Sequence, residues 1–177
     1  MENQRSRPAD RGRYAANSMN LHSIKSRLES KGIFLSEDSL CGRPTVIGYE
    51  KRFRWRWFAT QLNTFVVAAD YGDETLTVQS IEALLSEAFS YAKKHYTGWP
   101  RGFQSGLGTI AILLSSSIDD DAIKYCRELK AGKKWAGFAV PVAIGTSSNE
   151  TFVFDRNPMW GRIYYPHFKK IVEDVVS

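Results

Sequence analysis

A chain of 177 residues, 43% hydrophobic and 24% charged, has the composition of a globular protein with one domain of ordinary size and a real core. No apolar run approaches the roughly 20 residues that span a bilayer, and no signal-peptide core is present near the N-terminus. Cys41 and Cys126 form neither a CxxC pair nor a Cys/His ligand set, so no structural zinc site is expected; free thiols are expected ahead of a disulfide between them, in an intracellular, cytoplasmic protein.

The net charge of +5 is unevenly spread. Arg5, Arg7, Arg11 and Arg13 fall in residues 1–19, which hold almost no bulky apolar side chains. That stretch reads as a flexible basic tail ahead of a domain over 20–177. Asn20 suits an N-cap for a helix at 21–31 with Leu21, Ile24 and Leu28 on its apolar stripe. Gly32 suits the left-handed position after it, with Ile33 folding back on Leu28.

A β-rich region is expected over 44–71. Thr45-Val46-Ile47 reads as a strand turning near Gly48-Tyr49-Glu50. The next segment, Lys51-Arg52-Phe53-Arg54-Trp55-Arg56-Trp57-Phe58, alternates cations and rings with a period of two. In a strand, Phe53, Trp55 and Trp57 share one face and Arg52, Arg54 and Arg56 the other. The expectation is rings inward and guanidinium groups outward. Residues 63–70 then form a strand covered on both faces.

The clearest helix spans 77–96, with Val78, Ile81, Leu85, Ala88, Phe89, Ala92 and Tyr96 at helical spacing. Lys93, Lys94 and His95 suit its negative end. A glycine-rich loop over 98–108 follows. Thr109–Leu114 reads as a buried strand, 119–131 as a helix, and 138–144 as a strand whose Pro141 calls for an edge or a bulge. Gly145–Asn149 turns into a strand at 151–154, and a helix at 165–176 closes the chain. The pattern predicts an α+β fold: one mixed, twisted sheet of five or six strands. It has an antiparallel N-terminal meander, a parallel β-α-β-α-β centre and a C-terminal hairpin, with helices packed on the sheet.

Lys51, Arg52, Arg54 and Arg56 are the expected binding residues for an anionic partner or nucleic acid, because Arg makes bidentate phosphate contacts. Asp70, Asp73, Asp119 and Asp120 fall where the carboxyl ends of two parallel strands would meet, the usual ligand edge of such sheets. They could hold Mg²⁺ for hydrolysis, although carboxylates there also satisfy helix N-termini. The loop Gly98-Trp99-Pro100-Arg101-Gly102 has the glycine content of a lid, with Trp99, Arg101 and Gly102 as its candidates. It runs from a helix into a strand, the reverse of a phosphate-binding loop. His22, His95 and His167 stand in no nucleophile or metal motif.

The order helix, strands, long helix, strand resembles the core of the restriction-endonuclease-like nucleases. That resemblance implies an Asp and a Glu/Asp-x-Lys on adjacent strands holding Mg²⁺. The strand 63–70 carries no such motif, and Glu128-Leu129-Lys130 has the letters on a predicted helix. Element order alone transfers no activity. The leading expectation is therefore a non-enzymatic binding protein using its cationic strand, without a cofactor. The alternatives are a Mg²⁺-dependent, nuclease-like hydrolase and a homo-oligomer joined through the aromatic strand.

Overall fold

The structure is a computed structural model that describes residues 19–57, 59–99, 105–129, 137–155 and 162–176. The tail residues 1–18, together with Arg101 and Gly102 of the expected lid and the side chain of Arg56, lie outside the described residues. Among the described residues, four α-helices flank one open six-stranded sheet of order β1-β2-β3-β4-β5-β6. The strands are β1 (Phe34–Leu40), β2 (Arg43–Arg54), β3 (Thr60–Asp70), β4 (Ser105–Ser115), β5 (Gly137–Gly145) and β6 (Glu150–Phe152). β1 to β3 form an antiparallel meander, β3 to β5 are parallel, and β6 returns antiparallel to β5. This is the mixed α+β architecture expected from the element order.

The helix α1 (Leu21–Ser30) opens on a reciprocal cap: Ser23 N donates to the Asn20 side chain at 2.8 Å, and Asn20 N donates to Ser23 Oγ at 3.1 Å. It ends in a Schellman motif. Gly32, at φ 65°, donates to Glu29 O, and Ile33 N donates to Leu28 O. α1 and α4 (Tyr165–Val176) cover one face of the sheet, where Val46, Leu62, Val66, Ile110, Ile112, Val140 and Val142 meet Leu28, Phe168 and Val172. α2 (Val78–His95) and α3 (Asp120–Glu128) cover the other, over Ile47, Phe65, Val67, Ala111, Leu113 and Ala143. Period-two alternation thus sends each central strand into two separate apolar layers. Placing both crossover helices on one face is what two successive crossovers of the same hand require.

Two expectations need correction, and one strand stands where the sequence analysis assigns no element. That strand is 34–40, whose sequence Phe34-Leu35-Ser36-Glu37-Asp38-Ser39-Leu40 lacks a clean alternation. It pairs with β2 through the two-residue turn Cys41-Gly42, both at positive φ. Gly48 does not turn the chain. β2 runs straight through it, and a Cβ there would sit 2.9 Å from Leu28 Cδ2 and 3.2 Å from Ile33 O, so glycine accommodates the close approach of α1. The cationic-aromatic alternation stops at Arg54. Trp55–Trp57 form a 3-10 turn, and Ala59 at φ 54° donates to Trp55 O before β3 begins.

Pro141 sits in β5 opposite Ala111, and β6 pairs only with Ala143–Gly145. The proline therefore occupies a stretch of β5 that β6 leaves unpaired, which is where a residue without N–H is tolerated. Cys41 and Cys126 are free thiols, the latter buried. Among the described residues, no helix is long and apolar enough to cross a membrane.

Glycines also set how closely α4 lies on the sheet. A Cβ on Gly108 of β4 would fall 2.6 Å from Phe168 Cε1, a ring buried in the core. Gly108→Ala is expected to lower unfolding stability by about 1–3 kcal/mol in urea titrations, and by less in a Phe168→Leu background. An unchanged midpoint would show that α4 is not held this close.

Candidate cationic site

β1 pairs with β2 only as far as Gly48, so residues 49–54 of β2 extend past it with one edge unpaired by any described strand. The strand alternates as expected: Glu50, Arg52 and Arg54 share one face, Tyr49, Lys51 and Phe53 the other. Their burial is the reverse of the expectation. Phe53 is 39% exposed and Trp55 80% exposed, while Arg52 and Arg54 are half-buried. α4 stands over the arginine face, where its His167 meets Glu50. The 3-10 turn then breaks the alternation and swings Trp57 onto that same face, where it is 1% exposed. Its ring lies 5.5 Å from Tyr164 and 5.1 Å from His167, centroid to centroid.

On the arginine face a chain of charge ties β2 to α4. Arg52 Nη2 lies 2.6 Å from Glu50 Oε1, and Glu50 Oε2 lies 2.8 Å from His167 Nε2. The last two atoms are sealed from solvent and have only each other among the described residues. Burial pushes the Glu50 carboxyl upward, but the His167 contact and the Arg52 charge outweigh it and hold the group below the usual 4.5. Two clefts open beside this chain. One of about 290 Å³ is lined by Lys31, Glu50, Arg52, His167, Lys170 and Asp174. The other, of about 410 Å³, is lined by Arg54, Trp57, Ile163, Pro166, His167 and Lys170.

On the opposite face, a polar knot presents the rings. Tyr49 stacks on Phe65 with centroids 4.5 Å apart, and its hydroxyl donates to Asn63 Oδ1 at 2.7 Å and accepts from Thr97 N at 3.2 Å. Lys51 Nζ donates to Thr97 O at 3.1 Å, and Trp99 N donates to Gln61 Oε1 at 3.2 Å. Gly98 lets this happen, since a Cβ there would sit 2.7 Å from Gln61 Oε1. Trp99, 47% exposed, is thereby brought edge-on to Phe53 at 6.1 Å, and Phe53 meets Trp55 at 5.3 Å. The last turn of α2, carrying Lys93, Lys94 and His95, ends at this same pole of the sheet.

The carboxylates lie at the far pole. Asp70 ends β3 opposite Leu114 of β4, and its Oδ1 accepts from Gly72 N at 2.9 Å. Asp73 Oδ1 accepts from Ser116 Oγ at 2.8 Å, and Glu74 pairs with Arg43. Asp119 is the N-cap residue of α3, with Asp120 and Asp121 in its first turn. Asp70, Asp73, Asp119 and Asp120 thus reach the expected edge without converging: among the described residues, no three His, Cys, Asp or Glu side chains are grouped to hold a metal. Glu128 ends α3, away from the sheet edge where a nuclease motif would stand, and Lys130 lies outside the described residues.

Glu50, Trp57, His167 and Lys170 were not legible as one site in the sequence. The available signals were weak. Glu50 is the lone acid in the parity row of Arg52 and Arg54, and His167 and Lys170 stand three residues apart on one helix. His95, by contrast, stacks on Tyr91 at 3.9 Å, and His22 is exposed on α1. No family model matches the chain, and neither curated proteins nor solved structures provide a match.

His167→Ala leaves Glu50 Oε2 without its contact while Arg52 still meets Oε1, and is expected to cost about 1–3 kcal/mol of stability, read by urea unfolding. The pH dependence has a definite sign. A carboxyl depressed in the folded state stabilises fully above its ordinary pKa of 4.5, and that stability drains as pH falls through the depressed value. Glu50→Gln should flatten this acid limb. Parallel acid limbs for the two proteins would contradict the assignment.

Proposed function

We propose that the protein binds single-stranded nucleic acid at the pole formed by the end of β2. The observation that carries this reading is the exposed ring cluster of Phe53, Trp55 and Trp99, set on the same strand end as Lys51, Arg52 and Arg54. Exposed aromatic rings on a cationic ridge are the recurrent means of holding single strands: bases stack on rings and phosphates meet cations. Duplex recognition has less support, because bases inside a helix offer no open face to Trp55.

Two other partners fit less well. An acidic peptide would account for the arginines but leave three exposed rings without a purpose. A second copy meeting this edge would set Lys51, Arg52 and Arg54 against their own counterparts, and such charges are a known device against edge-to-edge pairing.

Fluorescence anisotropy of a short labelled oligonucleotide tests the proposal. Binding should weaken linearly in log–log salt plots, and Arg52→Ala/Arg54→Ala should reduce the slope by about 0.7 for each phosphate no longer neutralised. Trp55→Ala should cost about 1–3 kcal/mol of binding while leaving the slope alone. Absence of binding at low salt, or wild-type affinity in all three substitutions combined, ends the proposal.

A further inference from the structure

The two clefts on the arginine face are contiguous, since His167 and Lys170 line both. Their charges differ. In the smaller cleft, Lys31 pairs with Asp174 at 3.0 Å, and Glu50 holds Arg52 and His167. In the larger cleft the described lining residues include Arg54, Lys170 and His167 and no carboxylate. Neither Arg54 nor Lys170 is ion-paired to another described residue. Arg54 instead rests against the Trp57 ring, its guanidinium carbon 5.2 Å from the centroid. The remaining wall, Trp57, Ile163 and Pro166, is apolar.

We infer that this larger cleft takes a phosphomonoester carried on an organic group, as found at the end of a nucleic-acid strand or on a free mononucleotide. Two cations with no ion-pair partner among the described residues match a dianion better than the single charge of an internal phosphodiester. Arg54 supplies the planar fork and Lys170 a point charge. The apolar wall has room for a base or sugar, and about 410 Å³ lies within the size range of small-ligand sites. The charge comes from side chains rather than from the start of α4. His167 N and Phe168 N both donate to Tyr164 O, and Pro166 has no N–H to offer. His167 forms a wall, its Nε2 being turned to Glu50.

The inference rests on the strand-binding reading for its longer ligand: Arg54 is the last residue of β2 and directly precedes Trp55, so a strand stacked on the rings would end beside the cleft. Its shorter ligand is independent of that reading.

The test uses the full chain and compares oligonucleotides bearing a 5′- or 3′-terminal phosphate with their hydroxyl-ended twin by anisotropy. Calorimetry does the same for a nucleoside monophosphate against its nucleoside. At least one phosphorylated form should bind about tenfold tighter than its hydroxyl counterpart. Lys170→Ala should abolish that preference while leaving the hydroxyl-ended strand at wild-type affinity, and Trp55→Ala should weaken both strands equally. Equal affinity with and without the terminal phosphate overturns the inference and leaves the strand-binding reading in place. A preference that survives Lys170→Ala also overturns it. Lys170-dependent binding of the monophosphate with no strand bound supports the cleft and removes the strand-binding reading instead.

Discussion

One contact between distant parts of the chain holds the cationic pole together: Glu50 Oε2 against His167 Nε2, at 2.8 Å and out of reach of water. β2 outruns β1, so its last six residues have no described strand beside them on one edge. Their arginine face meets α4 through His167 and Lys170. An arginine row would ordinarily repel that approach, because desolvating a guanidinium without a partner is costly. Glu50, in the same row, satisfies Arg52 through one oxygen and His167 through the other. Residues of α4 line both clefts, and Trp57 is buried against Tyr164 and His167.

Topology separates the charges of the molecule. In a parallel β-α-β-α-β unit every crossover helix runs against its strands, so helix starts collect at the strands' carboxyl edge and helix ends at the other. The first turn of α3 carries Asp120 and Asp121, and the last turn of α2 carries Lys93, Lys94 and His95. Each set answers a helix dipole. That local chemistry makes one pole acidic and the opposite pole basic, and the basic one is where β2 adds its own cations. The acidic pole needs no metal to explain it: Asp70 and Asp73 satisfy loop donors, and Glu74 pairs with Arg43.

Elements with strong local signatures were legible in the sequence. The capped α1, the long α2, the parallel centre and the 145–149 hairpin all follow from capping, periodicity and turn chemistry that neighbours barely alter. The misreadings share a different cause. β1 is a strand because β2 pairs with it, not because its residues prefer it. Gly48 looks like a turn and is a contact point for Leu28, a fact about α1 that its neighbours in sequence do not carry. The row from 51 to 58 shows which side chains share a face, and that parity held through Arg54. Which face would be covered depended on α4, more than a hundred residues later in the chain. Periodicity encodes faces; only tertiary packing decides which of them meets water.

The central claim is that the ridge at the end of β2 is the surface that meets nucleic acid. Backbone hydrogen exchange with and without a saturating single-stranded oligonucleotide addresses it most directly. Slowed exchange is predicted at 50–57, 97–99 and 165–171, with no change at the acidic pole. Protection at 70–76 and 116–121, or unchanged exchange throughout, would contradict the claim.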